Sequence, residues 1–103
     1  MTTTEKNTII DKFLNRTVSV NQYNENWNEL MLVVKKVEQI EESDFTVYIN
    51  NDGCKISGVE LYPYLHIVEL STTKIQAVYN ACVEFIKWYN EQKVNLGKKQ
   101  KKL

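Results

Sequence analysis

Apolar residues recur at three- and four-residue steps in three segments of the chain, which is the spacing of an amphipathic helix. These segments are residues 4–15, 25–42 and 73–93, and we predict a helix in each. The third helix has the longest apolar stripe, and seven residues lie along it: Ile75, Val78, Tyr79, Cys82, Phe85, Ile86 and Tyr89. A stripe of this length predicts a helix that packs along the core of a domain.

Residues that can cap a helix stand at the start of each segment. Thr4 can cap the first helix, and either Asn24 or Asn26 can cap the second. Thr73, followed three residues later by Gln76, has the spacing of a capping box for the third.

Alternating apolar and polar residues predict a small sheet between the second and third helices. Residues 45–49 and 54–57 alternate with the two-residue period of strands, and residues 50–53 between them are Asn-Asn-Asp-Gly, which tolerate the positive φ of hairpin turns. A third strand is predicted at 64–70, because Pro63 cannot donate a hydrogen bond inside a sheet. Residues 16–22 fit either a connector or a short edge strand.

Two or three strands cannot form a stable sheet alone, and each helix needs a surface for its apolar stripe. We therefore predict a single two-layer α+β domain, in which two or three helices pack on a small antiparallel sheet in the order α-α-β-β-(β)-α. The chain has 103 residues, which suits one domain. No apolar run is long enough to cross a membrane, and no secretion signal is visible, so we expect a cytoplasmic protein.

The formal net charge is zero, but it is unevenly distributed. Residues 1–94 form the predicted domain and carry nine basic and 13 acidic residues, a net charge of −4. Residues 95–103 carry four lysines and no acid, and we expect a basic, mobile tail. This tail either aids solubility or contacts phosphate or an acidic partner. The acidic domain argues against binding to duplex DNA.

Residues with catalytic or metal-binding chemistry are few. Cys54 and Cys82 lie far apart in sequence and are expected to be small core residues, and we predict no metal and no cofactor. His66, the only histidine, is either a core residue or a pH-sensitive or ligand-binding group. An enzyme would need His66 or the neighbouring acids Glu38, Glu41 and Glu42 to face a cleft. We predict no catalytic residue.

Aromatic residues, which number 11, are the most informative feature of the composition. Phe13, Phe45, Tyr79 and Phe85 fit the predicted core. The other candidates, at the ends of elements or beside the main stripes, are Tyr23, Trp27, Tyr62, Tyr64, Trp88 and Tyr89. With His66 and the cations Lys35 and Lys87, they are our candidate ligand-binding or interface residues. The broad apolar arc around Trp88 fits either packing inside the monomer or a ligand groove or subunit interface.

Two motifs resemble a family of small proteins from tailed phages and prophages. Residues 26–38 (NWNELMLVVKKVE) are similar to a W-x-x-L-M-x-V-V-x-K-I/V-E motif, and residues 78–90 (VYNACVEFIKWYN) to V-Y-x-A-V-V-E-F-I-x-W-Y-N. The resemblance covers roughly residues 5–92. Leu32 and Asn28 replace the proline and aspartate that are frequent in the family. The resemblance implies a phage setting and supplies no catalytic residue.

These observations favour a non-enzymatic phage accessory protein that binds a host component or a small ligand. One specific form is a protein that sequesters an immune signalling nucleotide in the cytoplasm of a bacterial host. The alternative is a structural module that forms a homo-oligomer or binds a host protein, and a small enzyme is the third reading.

Overall fold

The computed structural model describes residues 1–16, 22–40, 45–51, 53–58, 65–71 and 73–101, and for residues 65, 66 and 93–101 it describes the backbone. Six elements follow in the order α1 (Thr3–Phe13), α2 (Trp27–Glu38), β1 (Thr46–Ile49), β2 (Gly53–Gly58), β3 (Leu65–Leu70) and α3 (Lys74–Lys101). The predicted α+β class and the order α-α-β-β-β-α are confirmed. Residues 16–22 fit either a connector or a short edge strand by sequence, and most of them lie outside the described residues.

Helix α1 begins one residue earlier than predicted, because Thr2 rather than Thr4 caps it. The Thr2 hydroxyl accepts a hydrogen bond from the Glu5 backbone N–H, and the Glu5 carboxylate accepts one from the Thr2 N–H. This reciprocal pair is a capping box, which satisfies two N–H groups that would otherwise lack partners.

The end of α1 is a Schellman motif. The backbone N–H of Arg16 donates to the carbonyl of Asp11 at 2.9 Å, and that of Asn15 donates to Lys12 at 3.1 Å. Asn15 has a φ of 58°, a left-handed conformation that asparagine tolerates better than most residues. The ammonium group of Lys36, on α2, donates to the carbonyl of Phe13 and thereby ties the two helices together.

Helix α2 is capped by Asn26, whose side chain accepts from the Glu29 N–H. It ends at Glu38, before the predicted limit of 42, and Gln39 is its C-cap residue. Residues 41–44 lie outside the described part of the chain. The Glu38 carboxylate accepts a hydrogen bond of 3.1 Å from the Val47 backbone N–H, which joins the end of α2 to strand β1.

The three strands form an antiparallel sheet in the order β1-β2-β3. Ile49 pairs with Cys54 across the predicted hairpin, and Ile56 pairs with Ile67 of β3. Gly53 is the first residue of β2 rather than a turn residue, and its φ is not positive. A glycine suits this position because a Cβ there would lie 2.9 Å from Cδ2 of Leu70.

Helix α3 is longer than predicted and continues through Lys101. Its start is as expected, since the Thr73 hydroxyl accepts from the Gln76 N–H at 3.3 Å. The residues beyond 93 are mostly lysine, glutamine and other helix-compatible types, and lysines near a helix C-terminus interact favourably with its dipole. The mobility of residues 95–103 stays a prediction.

The core lies between the inner face of the sheet and the helices. Helix α3 contacts β2 and β3, α2 contacts β1, and both α1 and α2 contact α3. Cys54 and Ile56 point into this core from β2, and Cys82, on α3, is completely buried. Among the described helices, none has a stretch that is both long and apolar enough to span a bilayer.

Candidate functional site

Tyr23 lies inside the domain and not on its margin, which corrects the expectation from the sequence. Its side chain is completely buried, and its hydroxyl donates a 2.6 Å hydrogen bond to the buried carboxylate of Asp11. Burial, with a further contribution from Asp11, raises the pKa of Tyr23. Tyr23 therefore supports the structure around α1 and cannot contact a ligand in this conformation.

Trp88 and Tyr89 pack against the aromatic core. The Trp88 ring lies 5.9 Å from the Phe45 ring and 6.0 Å from the Phe85 ring, measured between centroids. Tyr89 stacks on Phe85 at 5.8 Å and meets the edge of Phe13 at 6.3 Å. Both residues are partly buried, so the apolar arc around Trp88 serves packing within the monomer.

Two other candidate residues, Trp27 and Lys87, lie on different helices. Trp27, the first residue of α2, is 38% exposed. Lys87 lies beside Glu84 on α3, with 3.5 Å between the ammonium and carboxylate groups. His66 belongs to β3, where its backbone pairs with Ser57, and the structure describes only the backbone of this residue. Tyr62 and Tyr64 lie outside the described residues.

Lys35, in contrast, lines a groove of about 520 Å³ that runs beside the end of α1 and the C-terminal half of α2. We call it the basic groove, and its lining residues are Leu14, Arg16, Leu32, Lys35, Lys36, Gln39 and Ile40. Its volume is within the range of small-molecule sites. Three cations and three aliphatic side chains form its wall, and no carboxylate is among these lining residues.

Arg16 is held in the groove by two neighbours. One of its guanidinium nitrogens lies 2.7 Å from a carboxylate oxygen of Glu29, and the guanidinium group lies 5.7 Å from the centre of the Tyr23 ring. The Glu29 carboxylate raises the pKa of Arg16. Because Glu29 approaches one edge of a planar group with five N–H donors, the other edges can receive an anion.

Lys36 and Lys35 are neighbours in sequence but differ in their roles. The ammonium group of Lys36 bonds to the Phe13 carbonyl and lies 5.1 Å from the centre of the Phe13 ring. Lys35 is exposed and forms no ion pair within the described part of the chain. Lys35 therefore adds to the groove wall a charge that no carboxylate of the described residues pairs with.

A smaller pocket of about 210 Å³ adjoins the basic groove, and Lys36 and Ile40 line both. We call it the second pocket, and its remaining lining residues are Lys12, Phe13, Asn15, Tyr89 and Asn90. It differs from the groove in having aromatic rings and two side-chain amides. The structure therefore brings two of the candidate residues, Lys35 and Tyr89, to adjoining cavities.

Arg16, Lys36 and Lys12 line these cavities but are not among the candidate residues predicted from the sequence. Two signals were visible: the consecutive lysines of α2, and two basic residues flanking the end of α1. Neither signal shows that these ends meet, because their meeting depends on how α1 packs beside α2.

The thiols are poor candidates for chemistry. Burial raises the pKa of Cys54 from 9.0 to about 11, and it raises that of Cys82 further. A thiol with a raised pKa is largely protonated at neutral pH, and the thiolate is the nucleophilic form. In the described part of the chain, no cluster of three or more His, Cys, Asp or Glu side chains is placed to hold a metal ion.

Comparisons of the chain with protein-family models, with curated proteins and with solved structures found no match. Function is therefore inferred from the geometry of the chain itself.

Proposed function

We propose that this chain is a non-enzymatic binding protein whose basic groove captures a small anionic molecule. The observation that carries this proposal is the groove wall, where Arg16, Lys35 and Lys36 meet aliphatic side chains without a carboxylate among the lining residues. Such a wall suits a ligand that has both an anionic group and an apolar part.

Charge in the groove opposes the charge of the domain as a whole. Residues 1–94 carry a net charge of −4, yet three of their nine basic residues line this one groove. Charged groups at a recessed, partly apolar surface are screened less than groups that project into solvent. Glu29 offsets the charge of Arg16, so the lysines of the groove are the groups that can attract an anion to an acidic protein.

A nucleotide is the ligand class that we favour, because it joins an anionic phosphate to a flat, weakly polar base. The resemblance to phage proteins supplies a setting for such an activity. In that setting the protein would act in the bacterial cytoplasm and sequester a signalling nucleotide of the host's defence. Sequestration requires binding alone, and it needs no catalytic residue, metal or cofactor.

Isothermal titration calorimetry at low salt tests this proposal with cyclic mono- and dinucleotides, linear nucleotides and inorganic phosphate. We expect binding by at least one of these anions, and Lys35→Gln should weaken it about 5-fold or more because a charge-assisted hydrogen bond is lost. Lys74→Gln is the matched control, since Lys74 is an exposed helical lysine away from the groove. Absence of heat with every anion would refute the proposal.

A second candidate function is self-association through the outer face of the sheet. Tyr48, Val68 and Leu70 are 47%, 52% and 73% exposed on strands whose other face packs on the helices. Exposed apolar side chains on one face of a sheet suit contact with a second copy of this chain. Light scattering should show a dimer that Val68→Lys converts to a monomer, and a wild-type monomer at high concentration would exclude this candidate.

A further inference from the structure

The second pocket differs in chemistry from the basic groove that it adjoins. The groove has three cations, three aliphatic side chains and one amide, whereas the pocket has two lysines, the rings of Tyr89 and Phe13 and the amides of Asn15 and Asn90. Aromatic rings provide a surface for a flat heterocycle, and amide groups can both donate and accept hydrogen bonds at its edge.

We propose that the two cavities form one bipartite site for a nucleotide, with the phosphate in the basic groove and the base in the second pocket. This inference rests on the proposed function, because it assigns an orientation to the ligand of the same groove. Lys36 and Ile40 line both cavities, so the two cavities are neighbours on the surface of the domain.

The orientation of the ligand in the site follows from the side chains at each end. Arg16 and Lys35 offer donors and positive charge at the groove end, which fit phosphate oxygens. Tyr89 is fixed at the other end, because it stacks on Phe85 at 5.8 Å and contacts the edge of Phe13. A ring that is already held by packing loses little conformational freedom when a base binds.

The amides of the second pocket are also placed by the fold. Asn15 occupies the left-handed position of the Schellman motif, so its backbone conformation is set by the end of α1. Asn90 is an exposed residue that follows Tyr89 on α3. The second pocket is thus lined by residues from the end of α1 and from α3, while α2 supplies Lys35 to the groove and Lys36 to both cavities.

Isothermal titration with GMP, AMP, ribose 5-phosphate and inorganic phosphate separates the two ends of the site. We expect at least one nucleotide to bind about 10-fold more tightly than ribose 5-phosphate, because a stacked base adds roughly 1–3 kcal/mol. Asn90→Ala and Tyr89→Leu should each weaken nucleotide binding about 5-fold and leave phosphate binding unchanged. Tyr89→Phe keeps the ring and should bind as the wild type does.

Asn90→Ala keeps the test valid if Tyr89→Leu unfolds, because Asn90 is exposed. Equal affinity for nucleotides and ribose 5-phosphate, unchanged by Asn90→Ala, would overturn the bipartite site while the proposed anion binding stands. If Lys35→Gln loses both nucleotide and phosphate binding, whereas Asn90→Ala and Tyr89→Leu keep phosphate binding, the groove is supported as the phosphate end. If none of the four compounds binds, the bipartite site is refuted, and the wider panel of anions decides the proposed function.

Discussion

The hydroxyl of Tyr23 donates a 2.6 Å hydrogen bond to the carboxylate of Asp11, and both side chains are buried. This bond fixes the segment before α2 against the C-terminal half of α1. Arg16, which lines the basic groove, rests over the same tyrosine ring. The geometry of the groove therefore depends on a tyrosine that no ligand reaches.

Replacing Tyr23 by phenylalanine should destabilise the domain at neutral pH. The change removes the hydroxyl that donates to buried Asp11, and the loss of such a bond costs roughly 1–3 kcal/mol. Urea unfolding followed by circular dichroism measures the effect. Tyr48→Phe is the control, because Tyr48 is exposed and should change the free energy of unfolding by less than ~0.5 kcal/mol. Equal effects of the two variants would contradict this role for Tyr23.

Alkaline pH should lower the stability of the domain. Burial raises the pKa of Cys54 from 9.0 to about 11, and it also raises the pKa of Cys82, Tyr23 and Tyr79. The unfolded chain loses these protons at lower pH than the folded chain does. These four groups should therefore leave the free energy of unfolding unchanged below about pH 8 and lower it as the pH rises from 9 to 11.

Urea midpoints measured between pH 7 and 11 test this alkaline decrease. In Cys54→Ala the decrease between pH 9 and 11 should be smaller, because one of the groups that binds its proton more tightly in the folded state is gone. A midpoint that rises with pH in this range would show that the sign is wrong.

Gly58→Ala should be destabilising because strand β2 passes close to Phe45. A Cβ at Gly58 would overlap Cδ1 of Phe45 and lie 2.9 Å from its Cε1. Phe45 is buried and packs on Phe85 at 4.9 Å, so its ring has little room to move. Overpacking of this kind costs about 1–3 kcal/mol, measured as a change in the free energy of unfolding.

Gly53→Ala provides the comparison for Gly58→Ala. The added methyl group would meet the end of Leu70, a side chain that is 73% exposed and can rotate away, and the carbonyl oxygen of Glu69 at 3.2 Å. We expect a smaller loss of stability than in Gly58→Ala. The reverse order would show that the Phe45 ring yields more readily than its packing indicates.

Asn15 should respond to substitution in two opposite directions. Its φ of 58° costs a residue with a Cβ free energy that glycine avoids. Asn15→Gly should therefore raise the melting temperature, and Asn15→Ala should lower the free energy of unfolding by about 1 kcal/mol. Differential scanning calorimetry measures both, and a loss of stability in both variants would mean that the asparagine side chain itself stabilises the turn.

Local signals in the sequence predicted most of the fold. The alternation around Asn-Asn-Asp-Gly predicts the hairpin, and residue type and position predict Thr73 as one cap. They narrow the cap of α2 to Asn24 or Asn26, of which the structure shows Asn26. The predicted α3 is too short, because the lysine-rich sequence beyond residue 93 has no apolar stripe that would extend the helical pattern. Thr2 was missed because three consecutive threonines offer equivalent caps.

The candidate site was less predictable, because it depends on contacts between segments that are distant in sequence. The polar residues around Tyr23 in the sequence predict a position at the margin of the domain, whereas its hydroxyl bonds to buried Asp11 of α1. Arg16 and Lys35 line one groove although 18 residues of sequence separate them, and the hydrogen bond from Lys36 to the Phe13 carbonyl links the segments that carry them. No periodicity or motif specifies such a meeting point.

The hydrogen bond from the Val47 backbone to the Glu38 carboxylate also has a consequence for the solution behaviour of the protein. Strand β1 is at the edge of the sheet, and a free N–H on an edge strand can recruit a strand from another molecule. Glu38 occupies that N–H and places a negative charge beside it. Fibril growth by strand addition at β1 is thereby opposed, and Glu38→Ala should aggregate faster than the wild type during prolonged incubation at high concentration.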